Sequence, residues 1–276
     1  MIRNALIGAG LAVLAAVPAF AQQAPLRPLY DALRMTDMIE LMRAEGLAYG
    51  ADLGVQMLPS GGGPEWRAVV ERLYDPARMA VVVEEDFAER FEGTDPAPLL
   101  EFFASPLGLK VVELELEARR AFLDKAKEEA AREAFRAVES NALVTPDPHF
   151  EAVTAYIEAN DLVELNVSGG LTSSLRFYQG LAEGGALEMS EAEMVEDIWQ
   201  NEDSTREDTA EWVQSFLGLA YASLTVAEID QYTQLSRSPE GRALNAALFA
   251  GFDRMYRELS YSLGLALANK MRGETL

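Results

Sequence analysis

The chain has 276 residues, with 45 Asp and Glu against 23 Lys and Arg, and its formal charge of −22 opposes phosphate backbones and anionic lipid surfaces as partners. It contains no cysteine, which excludes disulfides, thiolate metal sites and a lipid-modified N-terminal Cys, so stability must come from packing. One histidine cannot build a zinc, copper or haem site made from His and Cys ligands.

Residues 1–21 read as a signal peptide: Arg3 supplies the positive start, Ala5 to Val17 is almost wholly apolar, and Ala19-Phe20-Ala21 offers small residues to a signal peptidase. The apolar run is shorter than the roughly 20 residues that span a bilayer, which argues against an uncleaved anchor. Cleavage after Ala21 leaves 276 − 21 = 255 residues, expected in the periplasm and without stable membrane insertion. No second long apolar stretch follows.

Helical periodicity dominates from there on, and period-2 alternation is absent, so the fold class is all-α. Asp37 and Glu40 form an acidic start to a helix carrying Met38, Leu41 and Met42. Pro59 to Gly63 reads as a turn. Pro64 then opens a helix striped by Trp66, Val69, Val70, Leu73 and Tyr74. Asp75-Pro76 caps the next, with Met79, Val82, Val83 and Phe87, and Thr94-Asp95-Pro96 starts the helix that leads to Ser105.

Ser105-Pro106-Leu107-Gly108 is one of two Ser-Pro-x-Gly tetrads; the other is Ser238-Pro239-Glu240-Gly241. Each follows an apolar helical stripe and opens another. Ser caps, Pro ends the incoming helix and fits the first turn of the next, and Gly permits close backbone approach. The tetrads are predicted to be structural helix-to-helix corners, since neither Ser has a base beside it in sequence. After the first corner the stripe Leu107, Val111, Leu114, Ala118, Phe122 continues as a weak alanine face (Ala126, Ala130, Ala134), which predicts one long connecting helix. Thr145-Pro146-Asp147-Pro148 marks a linker, and His149 within it is expected at the surface.

The second half repeats the order. Asp161-Leu162-Val163-Glu164-Leu165 matches Asp37-Met38-Ile39-Glu40-Leu41 at an offset of 161 − 37 = 124, and the two tetrads lie 238 − 105 = 133 apart. Ser190 with Glu193, Thr205 with Asp208 and Thr225 with Glu228 are predicted helix starts, and a strong stripe runs from Leu244 to Leu267. The expected organisation is therefore a signal peptide (1–21), a first helical repeat with its connecting helix (22–140), a linker (141–154) and a second repeat (155–276).

The stretch Phe102-Phe103-Ala104-Ser105-Pro106-Leu107-Gly108-Leu109-Lys110 resembles the most recognisable segment of bacterial domain-of-unknown-function family 2059. Leu235 to Arg242 is similar but lacks the aromatic pair, so the resemblance covers one copy per half, around Val81–Phe122 and Val213–Met255. It implies an exported all-helical protein of undetermined activity and carries over no catalytic residues.

The residues themselves offer little catalytic inventory. No nucleophile elbow, phosphate-binding loop, dinucleotide fingerprint or calcium loop occurs. Glu84, Glu85 and Asp86 are the best paired carboxylates and read as a solvated helix face. No cofactor or metal is expected. Three classes stay open: a module binding an envelope protein or peptide, a binder of a small apolar ligand between the repeats, and an acidic cell-wall glycan hydrolase. The first is preferred, with Phe122, Phe135, Tyr256 and Tyr261 as candidate partner surface and no nucleic acid among its partners.

Overall fold

In this computed structural model the described residues are 26–273, and the expected signal peptide with its cleavage site lies outside them. They form thirteen α-helices and a short 3-10 turn at Pro59–Gly62, with no strand among the described residues, as the periodicity predicts. In chain order the helices are α1 (Arg27–Ala32), α2 (Met35–Met57), α3 (Gly63–Leu73), α4 (Pro76–Arg90), α5 (Ala97–Phe103), α6 (Pro106–Phe122) and α7 (Lys125–Ala142). Then come α8 (Pro148–Ala159), α9 (Leu162–Glu183), α10 (Glu191–Gln200), α11 (Glu202–Tyr221), α12 (Val226–Arg237) and α13 (Pro239–Met271).

Side-chain caps set many of these boundaries. Asp75 accepts from the Arg78 amide, and Ser190 with Glu193 and Thr225 with Glu228 form complete capping boxes. Such caps satisfy amides that have no intrahelical partner, at about 1 kcal/mol each. Thr205 starts nothing: α11 begins at Glu202, and the Thr205 hydroxyl donates back to the Asn201 carbonyl. Nor do Asp37 and Asp161 act as side-chain caps. α2 and α9 instead start after Arg34 and Asp161, which are the only non-glycine positive-φ residues among those described, at 51° and 50°.

The long run after the first corner is two helices rather than one. α6 stops at Phe122, and the Asp124 carboxylate accepts from the Ala126 amide at 3.0 Å to start α7 in a new direction. Residues 141–154, read as a linker, are helical from Pro148, and Ala152 and Val153 are buried.

Two hydrophobic cores result, and α6 contributes side chains to both. One core gathers α1 to α5 with Leu244, Ala247, Met255, Leu263 and Leu267 of α13. The other gathers α8, α11 and α12 with Val111 and Ala118 of α6. Thus α13 packs on α4 while α6 packs on α11. Further contacts are α1 on α5, α8 on α12, α2 on α4 and α9 on α11. α13 also lies along α9 so closely that a side chain at Gly180 would strike the Tyr261 carbonyl, and one at Gly264 the Phe177 carbonyl.

The two corners share one geometry. The Ser105 hydroxyl accepts from the Gly108 amide at 3.1 Å, and the Ser238 hydroxyl from the Gly241 amide at 2.9 Å. A Cβ on Gly108 would collide with the Phe102 carbonyl oxygen, and one on Gly241 with that of Leu235. Because backbone cannot yield as a side-chain tip can, Gly108→Ala and Gly241→Ala should each destabilise the fold by about 1–3 kcal/mol in urea denaturation. Gly170, a helical position with open space around it, is the control: Gly170→Ala should be neutral or stabilise by up to about 1 kcal/mol.

Candidate functional site

Three helices leave a groove where α7 and α8 meet α11. It is an open cavity of about 360 Å³. α7 contributes Ala131, Ala134, Phe135 and Val138, α8 contributes Phe150 and Val153, and α11 forms the floor with Gly218 and Leu219. The alanines of α7 and the bare Gly218 are why space remains: larger side chains there would fill it. Phe135 and Phe150 flank the cavity with ring centres 6.3 Å apart. Val138 and Leu219 of its lining are exposed apolar side chains, and Leu143 and Val144, just past the end of α7, are 86% and 85% exposed.

The polar groups at this groove are held by the backbone around it. Asp147 caps α8 by accepting from the His149 and Phe150 amides at 3.0 and 3.2 Å. The His149 ring, partly enclosed rather than projecting into solvent, has Nε2 3.1 Å from the Tyr221 carbonyl.

α7 buries no residue fully, so its attachment is chiefly electrostatic. The Arg132 guanidinium, 13% exposed, reaches Glu128 on its own helix and Asp208 and Glu211 on α11, at 3.0 to 3.1 Å. Arg136 pairs with Glu129 of the same helix at 2.6 Å and lies 3.9 Å from Glu211 of α11.

The four aromatic residues singled out from sequence do not form one surface. Phe135 lines the groove. Phe122 is taken up edge-on by Trp212 and Phe216 of α11, at 5.8 and 5.6 Å. Tyr256 belongs to an internal cluster, in which Arg119 makes a two-pronged contact with Glu45 at 2.7 and 2.8 Å and also reaches the tyrosine hydroxyl. Tyr261 donates to Glu183 at 2.5 Å. Of the acidic triplet, Glu85 and Asp86 are ion-paired with Arg254 of α13, and Glu84 lies 4.0 Å from Arg27.

Sequence reasoning missed a partly buried carboxyl. Glu115 of α6 accepts a 2.6 Å hydrogen bond from the Tyr221 hydroxyl, among the stacked rings of Tyr156 and Tyr232 4.8 Å apart. Burial pushes its carboxyl up to about 7, against the pull of hydrogen bonds from Tyr221 and Tyr232. Burial, then the charge of Glu115, raises the hydroxyls of Tyr156, Tyr221 and Tyr232 in turn. A signal was available, because Glu115 interrupts the row Val111, Ala118, Phe122 on an otherwise apolar face.

Among the described residues no three His, Asp or Glu side chains converge as a metal site would, and no helix is long and apolar enough to cross a membrane. No protein-family model, curated protein or solved structure matches the chain.

With the anchorage of α7 resting on Arg132, Arg132→Ala should speed amide hydrogen exchange across α7 while leaving α6 and α13 unchanged. Raising salt to about 1 M should do the same in the wild type, where screening reaches within about 3 Å. Equal protection of α7 in all three conditions would show that charge does not hold it.

Proposed function

We propose that the protein is an exported binding module that takes the apolar face of a cationic protein segment or peptide into the groove between α7, α8 and α11. The observation that carries this reading is the open apolar groove, with Val138 and Leu219 of its lining exposed. Contiguous apolar surface of this kind marks interaction sites, and an amphipathic helix fills such a groove with side chains at i, i+3, i+4 and i+7 spacing. Its opening to solvent favours a chain segment over an enclosed small ligand. Charge selects the sign of the partner. The chain carries −22 overall, and the groove borders on Asp147 and on the carboxylates grouped around Arg132.

Two further expectations belong to this reading. Export with cleavage after Ala21 rests on the apolar N-terminal run and its small residues. Descent of the halves from one repeated unit, and with it the resemblance to family 2059, is supported by the matched corners, the left-handed residues before α2 and α9, and the reciprocal crossing of α6 and α13.

Titration of the purified protein with an amphipathic Leu/Lys helical peptide of about 18 residues tests the binding reading. Micromolar affinity is expected, with a Leu/Glu peptide of the same pattern failing to bind. Leu219→Lys on the rim and Phe135→Asp in the wall should each weaken binding at least tenfold with the helical content of the protein retained. Absence of binding, or affinity unaltered in both variants, rejects the groove as the site. Intact-mass measurement of protein from the envelope should find a chain starting at Gln22; retention of Met1 would reject processing.

A further inference from the structure

A second cavity, also of about 360 Å³, lies where α9, α10 and α11 come together. It shares no residue with the groove between α7, α8 and α11: it meets α11 at Glu202 and Arg206, whereas the groove meets that helix from Gln214 onward. Its body is apolar, with Val167 and Leu171 from α9 and Val195 and Ile198 from α10. Trp199, at the end of α10, lines it as well and is 61% exposed. By contrast Trp66 is buried, and Trp212 is stacked on Phe216 at 5.3 Å. An indole offers a ligand a large rigid face at small entropic cost.

The charged residues of the lining gather at one end, where α9 and α11 begin. Arg206 bonds the Glu164 carboxylate of α9 and, at 3.0 Å, that of Glu202 one turn before it on α11. Those bonds use two of the five N–H donors of a guanidinium, and each carboxylate keeps lone pairs. All three side chains remain partly exposed.

We propose that this cavity binds a free α-amino acid with a large apolar side chain. Charge complementarity selects that class. A simple anion would meet two carboxylates, and a simple cation would meet Arg206. A zwitterion with both charges on one carbon sets them side by side, as the cavity does. Its carboxylate takes the remaining donors of Arg206, and its ammonium takes the remaining lone pairs of Glu164 and Glu202. The side chain then runs onto Val167, Leu171 and Ile198, and a flat ring stacks on Trp199. Size agrees, since small-molecule sites span roughly 300–1,000 Å³ and this cavity lies at the low end. A peptide parts its terminal charges by more than one carbon and fits the charged end less well.

Titration of the whole protein with phenylalanine, followed through its indole N–H resonances, tests the assignment. The chain has three tryptophans, and Trp199→Phe identifies the resonance to watch. With phenylalanine raised to about 10 mM that resonance should shift and saturate, while those of Trp66 and Trp212 stay. Phenethylamine lacks the carboxylate and hydrocinnamate lacks the ammonium, so each should bind at least about tenfold more weakly. Glycine, without the apolar part, should leave the resonance where it is. These comparisons use the wild type and do not depend on the folding of a variant. Arg206→Gln, with helical content retained, should lose the preference for phenylalanine over phenethylamine. A Trp199 resonance unmoved by phenylalanine, or equal affinity of the wild type for phenylalanine and either singly charged analogue, would overturn the proposal. So would an Arg206→Gln protein that keeps the preference.

Discussion

One helix with side chains in two cores constrains everything packed around it. Val112 and Leu116 of α6 belong to the core of the first half, and Val111 and Ala118 to that of the second. These positions lie about 100° apart around the helix axis for each residue step, so a shift of α6 that improves one contact disturbs the other. Its charged residues reinforce the setting rather than relieve it. Arg119 with its two-pronged bond to Glu45 ties α6 to α2, while Lys110 with Glu228 ties it to α12. Removing one partner of a partly buried pair of the first kind would leave an uncompensated charge.

α13 completes the reciprocal arrangement with greater reach. Its 33 residues extend about 50 Å at 1.5 Å per residue, enough to lie on α4 of the first half and along α9 of its own. Arg254 of α13 binds Asp86 across 168 residues of sequence, so this contact closes a long loop before it contributes any stability. Contacts of that separation slow folding relative to a chain of local helical hairpins. They also make the cores interdependent, because the first needs residues of α13 and the second needs residues of α6.

The local parts of this architecture were legible because their causes are local. Asp75, Ser190, Thr225 and the two Ser-Pro-x-Gly corners all act within three residues of themselves, and all cap as their sequence suggests. Asp124 was equally local but was outweighed by the continuing apolar stripe, so α6 and α7 read as one helix. The spacing Gly46, Gly50, Gly54 on α2 was overlooked altogether, although it records close packing of α3: these glycines face Tyr74, Val70 and Trp66, and the Trp66 indole donates to the Gly50 carbonyl at 2.8 Å. Helix crossing was not legible, because an apolar stripe states that a face is covered without naming the partner. For that reason Tyr256, read as surface, lies instead beside Arg119 of α6.

Stability is therefore unevenly distributed, and the unevenness bears on binding. α6 is held between the two cores and α13 between α4 and α9, while α7 is held by Arg132 and Arg136 against the side of α11 with no residue fully buried. Elements with few buried apolar contacts open at low free energy, and ligand-contacting segments are drawn from them. A groove whose floor is the rigid α11 and whose wall is the loosely held α7 can widen for a bulky apolar side chain without disturbing either core. Tyr221 ties that floor to α6: its hydroxyl holds Glu115 and its carbonyl meets His149 at the groove.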